Sequence, residues 1–358
     1  IRLSLVGSEM CIRDRLSAAQ FMPRFALVSR LLCSRPLTKG FRYLYRYTRA
    51  GAYRHNETLW PLVKVRREGS ERLVACDLVG VKGPGTVPMD DVPRNIAGDA
   101  HLILSGPSVA QIDYAQCRLG AVMGVNGSIA LRRQHPTLRF DYYAMLDAGF
   151  VKRRRDLVAE VLSQDLLLFV TPEVYRWIAF LFAADDIRCR IVLFEEVHQP
   201  ALQARATPEA LEAQLAHDPE LVLFDARNPQ HAHGFSLNPV RGLFGGGTVA
   251  YTGLQLLAWM GARTLYLHGL DLTASAGPRF YESAGAQLAT ALDRQFAGHI
   301  EPAFRQASRL LSARGVKVYN LSAGSRLGDD VFEKCHWSCL LNQGESPPSP
   351  HPLSGLTS

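Results

Sequence analysis

Short apolar runs alternate with stretches of helical character along the chain from about residue 100 onward. Such runs of four or five residues predict strands that are buried on both faces. The predicted strands are His101–Ser105, Ala121–Val125, Tyr142–Leu146, Leu166–Val170, Ile191–Phe194, Leu221–Phe224, Thr264–His268 and Val316–Tyr319. Strands that alternate with helices predict an α/β domain with a mainly parallel sheet, whose ligand site lies beyond the carboxyl ends of the strands.

The sequence Thr-Pro-Glu occurs twice, at Thr171 and at Thr207. Threonine caps a helix, proline fits its first turn, and glutamate there faces the positive end of the helix dipole. Both positions therefore predict helix starts.

The chain divides by composition into four parts. Residues 1–21 include IRLSLVGSEMCIRDR, which resembles a translated sequencing adaptor, so they are excluded from the fold and Met22 is the expected start. Residues 22–98 are predicted to form a basic extension with short strands, in which the Gly/Pro-rich stretch 83–93 is a linker. The main domain is predicted over 99–340, and the Pro/Ser-rich tail 341–358 is predicted to be disordered.

Composition narrows the classes of partner and site. A net charge of +7 favours anionic partners such as nucleotides or an acidic membrane surface, and no recognised nucleic-acid-binding motif accompanies it. The seven cysteines are scattered, which is typical of reduced thiols, and the pair Cys335 and Cys339 has no second ligand pair that a zinc site would need. The most apolar stretch, 166–184, is interrupted by Pro172, Glu173 and Arg176, so no membrane span is predicted.

Three short motifs follow the first three predicted strands of the main domain. In SGPS at 105–108, Gly106 permits a tight turn, and backbone amides beside Pro107 and Ser108 can face a phosphate. A plain strand-to-helix turn capped by Ser108 is the alternative, and the motif alone is a weak signal. The other two motifs are VNGS, with Asn126, Gly127 and Ser128, and LDAG, with Asp147. An asparagine at a strand end can bind a base or ribose edge, although helix capping is the alternative. The run KRRRD at 152–156 is either a solvated helix face or an anion contact.

The fourth segment, 244–273, carries the most polar groups. A glycine cluster leads into a helix that begins near Thr248, an arrangement suited to an anion at a helix N-terminus. The following strand ends in His268, Gly269 and Asp271, after which come Arg279, Tyr281 and, further on, His299.

The order SGPS, VNGS, LDAG, GGGTVAYTG, HGLDLTASAGPRFYES and VKVYNLSAGSRL resembles the lipopolysaccharide-core family that transfers a third Kdo (3-deoxy-manno-octulosonic acid) residue. The resemblance covers about residues 100–330, and its most specific part is the stretch GLDLT to FYES. More distantly, the layout is similar to the bacterial sialyltransferases that use CMP-sialic acid. Both groups use a CMP-activated ulosonic acid.

The resemblance implies a Rossmann-like nucleotide-sugar-binding domain, with helices on both faces of its sheet, that needs no metal and no cofactor. By position it implies that the donor CMP-Kdo is bound by residues of the strand-end motifs, namely Gly106, Pro107, Ser108, Asn126, Gly127, Ser128, Asp147, Thr248 and Gly269. The family turn Thr-Ser-Gly is Thr-Val-Ala here, which puts a contact from Val249 in doubt.

The implied reaction is an inverting displacement at the anomeric carbon, with CMP as the leaving group. Tyr281 and Arg279 would stabilise the departing phosphate. His299 falls where the sialyltransferases carry their general base, and its side chain suits that role because the usual pKa of histidine lies near neutral pH. His268 and Asp271 are rival bases, and Asp271 could instead hold the strand-end loop by accepting backbone hydrogen bonds.

The implied acceptor is the lipid A-core, which places the protein on the cytoplasmic face of the inner membrane. The basic, aromatic segment 22–60 is the predicted membrane contact, and an ordinary solvated or packed extension is the alternative. Two other functions stay open: a sialyltransferase-like enzyme that uses another CMP-ulosonic acid, and a non-catalytic CMP-binding protein of polysaccharide assembly.

Overall fold

The computed structural model describes residues 34–69, 72–227, 232–273, 277–282 and 292–341. The predicted adaptor-derived segment and nearly all of the predicted tail lie outside these ranges. The strands are β1 Val63–Glu68, β2 Arg72–Leu78, β3 Thr86–Val87, β4 Asp99–Ile103, β5 Ala121–Val125, β6 Tyr142–Met145, β7 Leu167–Val170, β8 Arg190–Leu193, β9 Leu221–Asp225, β10 His233–Ser236, β11 Thr264–His268, β12 Lys317–Asn320 and β13 Glu333–Lys334.

The helices alternate with these strands over most of the described chain. They are α1 Arg35–Thr48, α2 Ala148–Arg153, α3 Arg155–Leu162, α4 Pro172–Leu181, α5 Pro208–Leu215, α6 Val249–Trp259, α7 Leu292–Gln295 and α8 Glu301–Ala313. A π-helical turn, Phe296–Ile300, joins α7 to α8. The hydroxyls of Thr171 and Thr207 accept hydrogen bonds from the amides of Val174 and Ala210, so the two predicted helix starts are confirmed.

The centre of the fold is a nine-stranded sheet in the order β13-β12-β11-β4-β5-β6-β7-β8-β3. Its neighbouring strands are all parallel. Alternate side chains of each strand enter two separate apolar layers. Leu102 and Met123 pack in the layer that contains α6 and α8, whereas Ile103 and Val122 pack in the layer that contains α2, α3 and α4. The predicted Rossmann-like α/β domain with helices on both faces is confirmed.

One predicted strand exists but belongs to a different sheet from the one expected. Leu221–Phe224 was expected in the parallel sheet, but β9 pairs antiparallel with β10 in a separate two-stranded sheet. The connection from β9 to β10 is too short for the helical crossover that a parallel pair requires. In addition, β9 is only half-buried beyond Leu221, whereas strands at the centre of the sheet are buried throughout.

The predicted linker at 83–93 is also wrong in part. It contains β3, which pairs with β8 and forms an edge of the main sheet. The hairpin of β1 and β2 is fixed to the sheet as well, because the guanidinium of Arg67 donates to both carboxylate oxygens of Glu195, at 2.5 and 2.8 Å. The main sheet therefore uses residues that precede position 99, while the predicted domain boundaries stay predictions.

The chain reverses its direction of travel across the sheet at β4. Strands β5 to β8 follow on one side of β4, and β11 and β12 lie on the other. Loops that leave adjacent strands in opposite directions open a crevice at the carboxyl ends of those strands. Here the crevice is bounded by the loops that follow β4 and β11. None of the helices in the described ranges is both long and apolar enough to cross a membrane.

Candidate functional site

A cavity of about 650 Å³ opens at this crevice. It is bounded by the ends of five strands and by the start of α6. The loops that line it contribute Leu104–Pro107 after β4, Val125–Asn126 after β5, Leu146–Asp147 after β6, Glu196 after β8, Gly245–Val249 before α6 and Gly269–Thr273 after β11, and the farther wall includes Arg279, Glu282, Gln295 and His299. The structure therefore brings together residues that lie up to almost 200 positions apart.

The loops after β4 and β11 are joined directly. The amide of Gly106 donates to the carbonyl oxygen of Gly269 at 3.2 Å, and the amide of Ser108 donates to Oδ2 of Asp271 at 3.0 Å. A Cβ on Gly106 would overlap both Asp271 and the Gly269 carbonyl, so the approach requires glycine. Asp271 thus holds the loop after β4 by accepting a backbone hydrogen bond, which is one of the roles that the sequence left open for it. Ser108 does not line the cavity, because its hydroxyl is bonded to that of Ser322 at 2.9 Å.

Asn126 has an uncommon backbone conformation at the cavity wall. Its φ of 45° lies in the left-handed region, where asparagine is tolerated better than most residues. The hydroxyl of Tyr143 holds this turn by donating to the carbonyl oxygen of Asn126 at 2.7 Å. Within the described chain, the buried side-chain oxygen Oδ1 of Asn126 has no hydrogen-bond partner. A strained turn and an unsatisfied buried acceptor together are typical of a binding position.

The two residues after Asn126 support the site from behind it. The Ser128 hydroxyl is fully buried, accepts from the amide of Val125 and contacts the hydroxyl of Tyr143. Gly127 lies against the ring of Tyr281 so closely that a Cβ would overlap the ring. Neither residue lines the cavity, and neither does Tyr281.

The segment 277–282 forms one wall of the cavity. Arg279 lines it, and its guanidinium is bonded to Glu282, whose carboxylate also accepts from the Arg279 amide at 3.1 Å. The ring of Tyr281 packs edge-on against Phe150 and Phe280. Burial raises the pKa of the Tyr281 hydroxyl to about 12, so this group is a hydrogen-bond donor throughout the neutral range.

Asp147 and Thr248 begin helices at the cavity. Asp147 caps α2 through a 2.6 Å hydrogen bond from the amide of Gly149, and Thr248 caps α6 by accepting from the amide of Ala250. Both residues line the cavity, as does Val249. The preceding Gly247 has a φ of 74°, and a Cβ there would lie 2.8 Å from Cδ2 of His299. The amide-rich start of α6 and the His299 ring therefore share one wall.

His299 reaches the cavity from the π-helical turn. Such turns are rare and often occur at functional positions. Its ring is only 4% exposed, and its Nδ1 lies 2.5 Å from Nε2 of His233. The planes of the two rings lie at 29° to each other, with centroids 4.7 Å apart. His233 was not singled out from the sequence, because no local pattern connects it with a residue 66 positions away.

His268 is wrong as a rival base. It is the last residue of β11 and is completely buried, with its Nε2 bonded to Nδ1 of His101 at 3.0 Å and its Nδ1 bonded to the hydroxyl of Tyr114 at 3.2 Å. It does not line the cavity. Burial lowers the pKa of His268 well below its usual value, so it stays neutral.

Glu196 is a cavity residue that sequence reasoning missed. Its carboxylate lies close to Gly245 and 3.8 Å from Nε2 of His198, and burial raises the pKa of the carboxyl. The signal was present, since Glu196 follows the predicted strand Ile191–Phe194 just as Asp147 follows Tyr142–Leu146. Over the residues that the structure describes, no cluster of three His, Cys, Asp or Glu side chains could hold a metal ion.

Comparison with known proteins gives one significant relative among curated sequences. The chain is similar to a "Probable 3-deoxy-manno-octulosonic acid transferase" of Salmonella typhimurium, with 23% identity over 247 residues that cover 67% of this chain and 88% of the relative. No protein-family model matches the chain. No solved structure matches it significantly either. The similarity is thus to a protein named as a probable Kdo transferase, and it extends over most of both sequences.

Proposed function

We propose that this protein is a glycosyltransferase of lipopolysaccharide synthesis that transfers Kdo from CMP-Kdo to the inner core, with inversion and without a metal. One observation carries the proposal. Gly106, Asn126, Thr248, Arg279 and His299 line a single cavity at the point where the sheet reverses direction, and the similar protein is named a probable Kdo transferase.

The donor nucleotide fits the part of the cavity between β4 and α6. The N-terminus of α6 presents amide groups and the positive end of its dipole, which favour the phosphate of CMP. The Oδ1 acceptor of Asn126 would bind a donor hydrogen of the cytosine or ribose. Asp147, next to Asn126 in the cavity wall, would accept from a ribose hydroxyl.

The displacement needs a base and a stabilised leaving group. An acceptor hydroxyl attacks the anomeric carbon of Kdo, its proton passes to His299, and the electron pair of the breaking C–O bond leaves with the phosphate of CMP. Arg279, which lines the cavity and is paired with Glu282, would offset part of the charge on the phosphate in place of a divalent metal. The Tyr281 hydroxyl, on the same segment, would donate to the phosphate only if the segment moves toward the cavity, because its ring packs behind Gly127.

Asp271 is a weaker candidate for the base than His299, because its carboxylate is already used by the Ser108 amide. Glu196 is a stronger rival, since its carboxyl lines the cavity and burial raises its pKa. Replacing Asp271 and Glu196 in turn by the corresponding amide tests whether either carboxylate is the base.

The test is a donor screen with purified protein. CMP-Kdo, CMP-sialic acid and UDP- and GDP-sugars are each incubated with lipid A-core acceptors, and release of the nucleotide is measured with and without EDTA. We expect CMP release with CMP-Kdo that EDTA leaves unchanged. A preference for UDP-sugars rejects the proposal, a preference for CMP-sialic acid favours the sialyltransferase-like alternative, and CMP binding without turnover favours a non-catalytic protein. His299→Ala tests the base; activity within about threefold of wild type removes His299 from the mechanism.

The helix α1 is our proposed contact with the inner membrane. It buries Tyr45 and packs Phe41 against Trp60, yet leaves Tyr43, Leu44 and Tyr47 exposed. Exposed basic residues flank these side chains in the sequence, namely Lys39, Arg42, Arg46, Arg49 and Arg54, of which Arg42 and Arg46 are paired with Glu57. Aromatic and apolar groups that enter the headgroup region, together with cations that attract anionic lipids, are the two terms of interfacial binding. This contact would hold the protein on the cytoplasmic face, at the membrane that carries a lipid-linked acceptor.

A further inference from the structure

We infer that His233 is a positioning residue for the base: it accepts the Nδ1–H of His299 and so leaves Nε2 of His299 as the atom that takes the acceptor proton. This inference rests on the proposed function. His233 begins β10, is 8% exposed, and its Nε2 lies 2.5 Å from Nδ1 of His299. A separation this short between two imidazole nitrogens holds one hydrogen, donated by one ring and accepted by the other.

The direction of that hydrogen bond decides what His299 can do. If Nδ1 of His299 carries the hydrogen, then Nε2 has the lone pair and the neutral ring is a base. If Nε2 of His233 carries it, neutral His299 has its hydrogen on Nε2 and cannot accept the proton there. A partner on one ring nitrogen of histidine fixes the tautomer and thereby the chemistry of the other nitrogen.

The fold turns the Nε2 edge of the His299 ring toward the loop that lines the cavity. The Cδ2 and Nε2 edge of His299 lies against Gly247, in the glycine loop that lines the cavity, while the Nδ1 edge faces His233 away from it. The hydrogen bond restricts both imidazoles, because a flip of either ring would replace its bonded nitrogen by a carbon. Nε2 of His299 is therefore the nitrogen placed for substrate.

An anion lies behind the pair. Asp225 is directly opposite His233 in the antiparallel register of β9 and β10. Its carboxylate is held by Arg227 at 2.8 and 2.9 Å, and this contact lowers the pKa of Asp225 to about 2, so it is charged at neutral pH. Asp225 interacts electrostatically with His233, and Arg227 offsets part of the negative charge that favours a positive charge on the histidine pair.

The proton balance follows directly. The acceptor O–H bond breaks, its hydrogen goes to Nε2 of His299, and the oxygen forms the new bond to the anomeric carbon as the C–O bond to CMP breaks. His299 becomes an imidazolium whose Nδ1–H remains bonded to neutral His233, and the proton on Nε2 is later released to water. His233 itself touches no substrate atom in this scheme.

The pH experiment must distinguish this pair from the other ionisable groups near it. Those in the cavity wall and on the neighbouring strand are Asp147, Glu196, Asp225, Asp271, Arg279 and Glu282. Of these, Glu196 is the cavity carboxyl whose pKa is raised by burial, so the experiment includes a Glu196→Gln background.

The first part of the experiment compares His233→Gln with His233→Leu. The amide oxygen of glutamine can accept the Nδ1–H, whereas leucine cannot. We expect His233→Leu to lower kcat for transfer from CMP-Kdo by about 10- to 100-fold, with KM within about twofold, and to move the acidic limb of the kcat profile to lower pH. His233→Gln should restore most of kcat and the profile. His217→Leu, at an exposed position, is the control. Unchanged kcat and pH profile in His233→Leu overturn the inference.

The second part needs no activity. Long-range ¹H–¹⁵N NMR of the wild-type protein, assigned with His299→Asn, reports which nitrogen of His299 is protonated. We expect the Nδ1–H tautomer, and the Nε2–H tautomer overturns the inference even if His233→Leu fails to fold. Failure of transfer with every CMP-sugar, together with an Nδ1–H tautomer, would reject the proposed function and leave the His233 contact standing.

Discussion

The carboxylate of Asp271, three residues beyond β11, accepts a 3.0 Å hydrogen bond from the backbone amide of Ser108, in the loop that follows β4. These two loops leave adjacent parallel strands on either side of the point where the sheet reverses direction. A buried, charged acceptor therefore fixes the width of the crevice in which a nucleotide would bind.

Asp271→Ala should open this crevice, whereas Asp271→Asn should largely preserve it because the amide oxygen still accepts from Ser108. Loss of a buried hydrogen bond to a charged group costs about 1–3 kcal/mol, so we expect CMP affinity in Asp271→Ala to fall at least about tenfold. Isothermal titration with CMP measures the effect, and the exposed Asp329→Asn is the control. If Asp271→Asn binds CMP normally but loses transfer more than about 100-fold, Asp271 is the base and not a loop support.

Gly247→Ala should impair transfer far more than Gly298→Ala. A Cβ at Gly247 would meet Cδ2 of His299 and Cγ1 of Ile300 at 2.8 Å, and its φ of 74° disfavours any L-residue, whereas a Cβ at Gly298 meets nothing within 4 Å. We expect the Gly247 variant to lose about 1–3 kcal/mol of stability and to displace the His299 ring. Thermal unfolding and kcat measure the two effects. Equal behaviour of the two variants would show that the glycine loop does not position His299.

Stability should fall as the pH drops below about 6.5, because His101 and His268 are buried as neutral groups. Burial lowers the pKa of His101 to about 3, and that of His268 well below 6.5. The unfolded chain binds protons from pH 6.5 downward and the folded chain does not, so each residue removes up to about 1.4 kcal/mol of stability per pH unit until its folded pKa is reached.

Urea unfolding of the wild type at pH 7.5 and at pH 5.0 tests this slope. His101→Phe, which packs against the neighbouring aromatic rings but takes up no proton, should show a shallower dependence. His217→Gln, at an exposed position, should leave the slope unchanged. A flat stability profile between these two pH values in the wild type would contradict the buried-histidine explanation.

Tyr43, Leu44 and Tyr47 should contribute to binding of anionic membranes. We expect replacement of all three by Ser to weaken co-sedimentation with phosphatidylglycerol vesicles by at least about tenfold, because apolar area that enters the interface adds to the attraction of the basic residues. Fold and donor binding should not change, since these side chains are exposed. The control is Val79→Ser, another exposed apolar position. Equal binding of wild type and the triple variant, or persistence of binding after deletion of residues 22–58, would reject this role for α1.

The fold followed closely from the sequence where the pattern was local. Strands buried on both faces produced unbroken apolar runs, and the Thr-Pro-Glu caps marked helix starts. The predictions failed where the strand with which a segment pairs decides its structure. Leu221–Asp225 has the composition of a strand, but only its pairing with His233–Ser236 determined that it forms a hairpin. The two residues of β3 are too few to produce a pattern, and β8 alone makes them a strand.

The candidate site shows the same division. Strand-end reasoning selected Gly106, Asn126, Asp147 and Asp271 for one region, and the structure brings them to one cavity. It did not separate His299, which reaches that cavity, from His268, which is completely buried directly before the cavity residue Gly269. Side chains alternate between the two sides of a strand, so His268 points away from the cavity that its neighbour Gly269 lines.

The sequence by itself determined the parallel α/β architecture, the helix caps and the end of the sheet at which polar groups collect, because each depends on near neighbours in the chain. Only the tertiary structure decided which of those groups share a cavity, that Asp271 holds the Ser108 loop, and that His233 meets His299 at 2.5 Å. These relationships join residues 66 to 163 positions apart. Their distances follow from how the strands are ordered in the sheet, which no local pattern of hydrophobic and polar residues specifies.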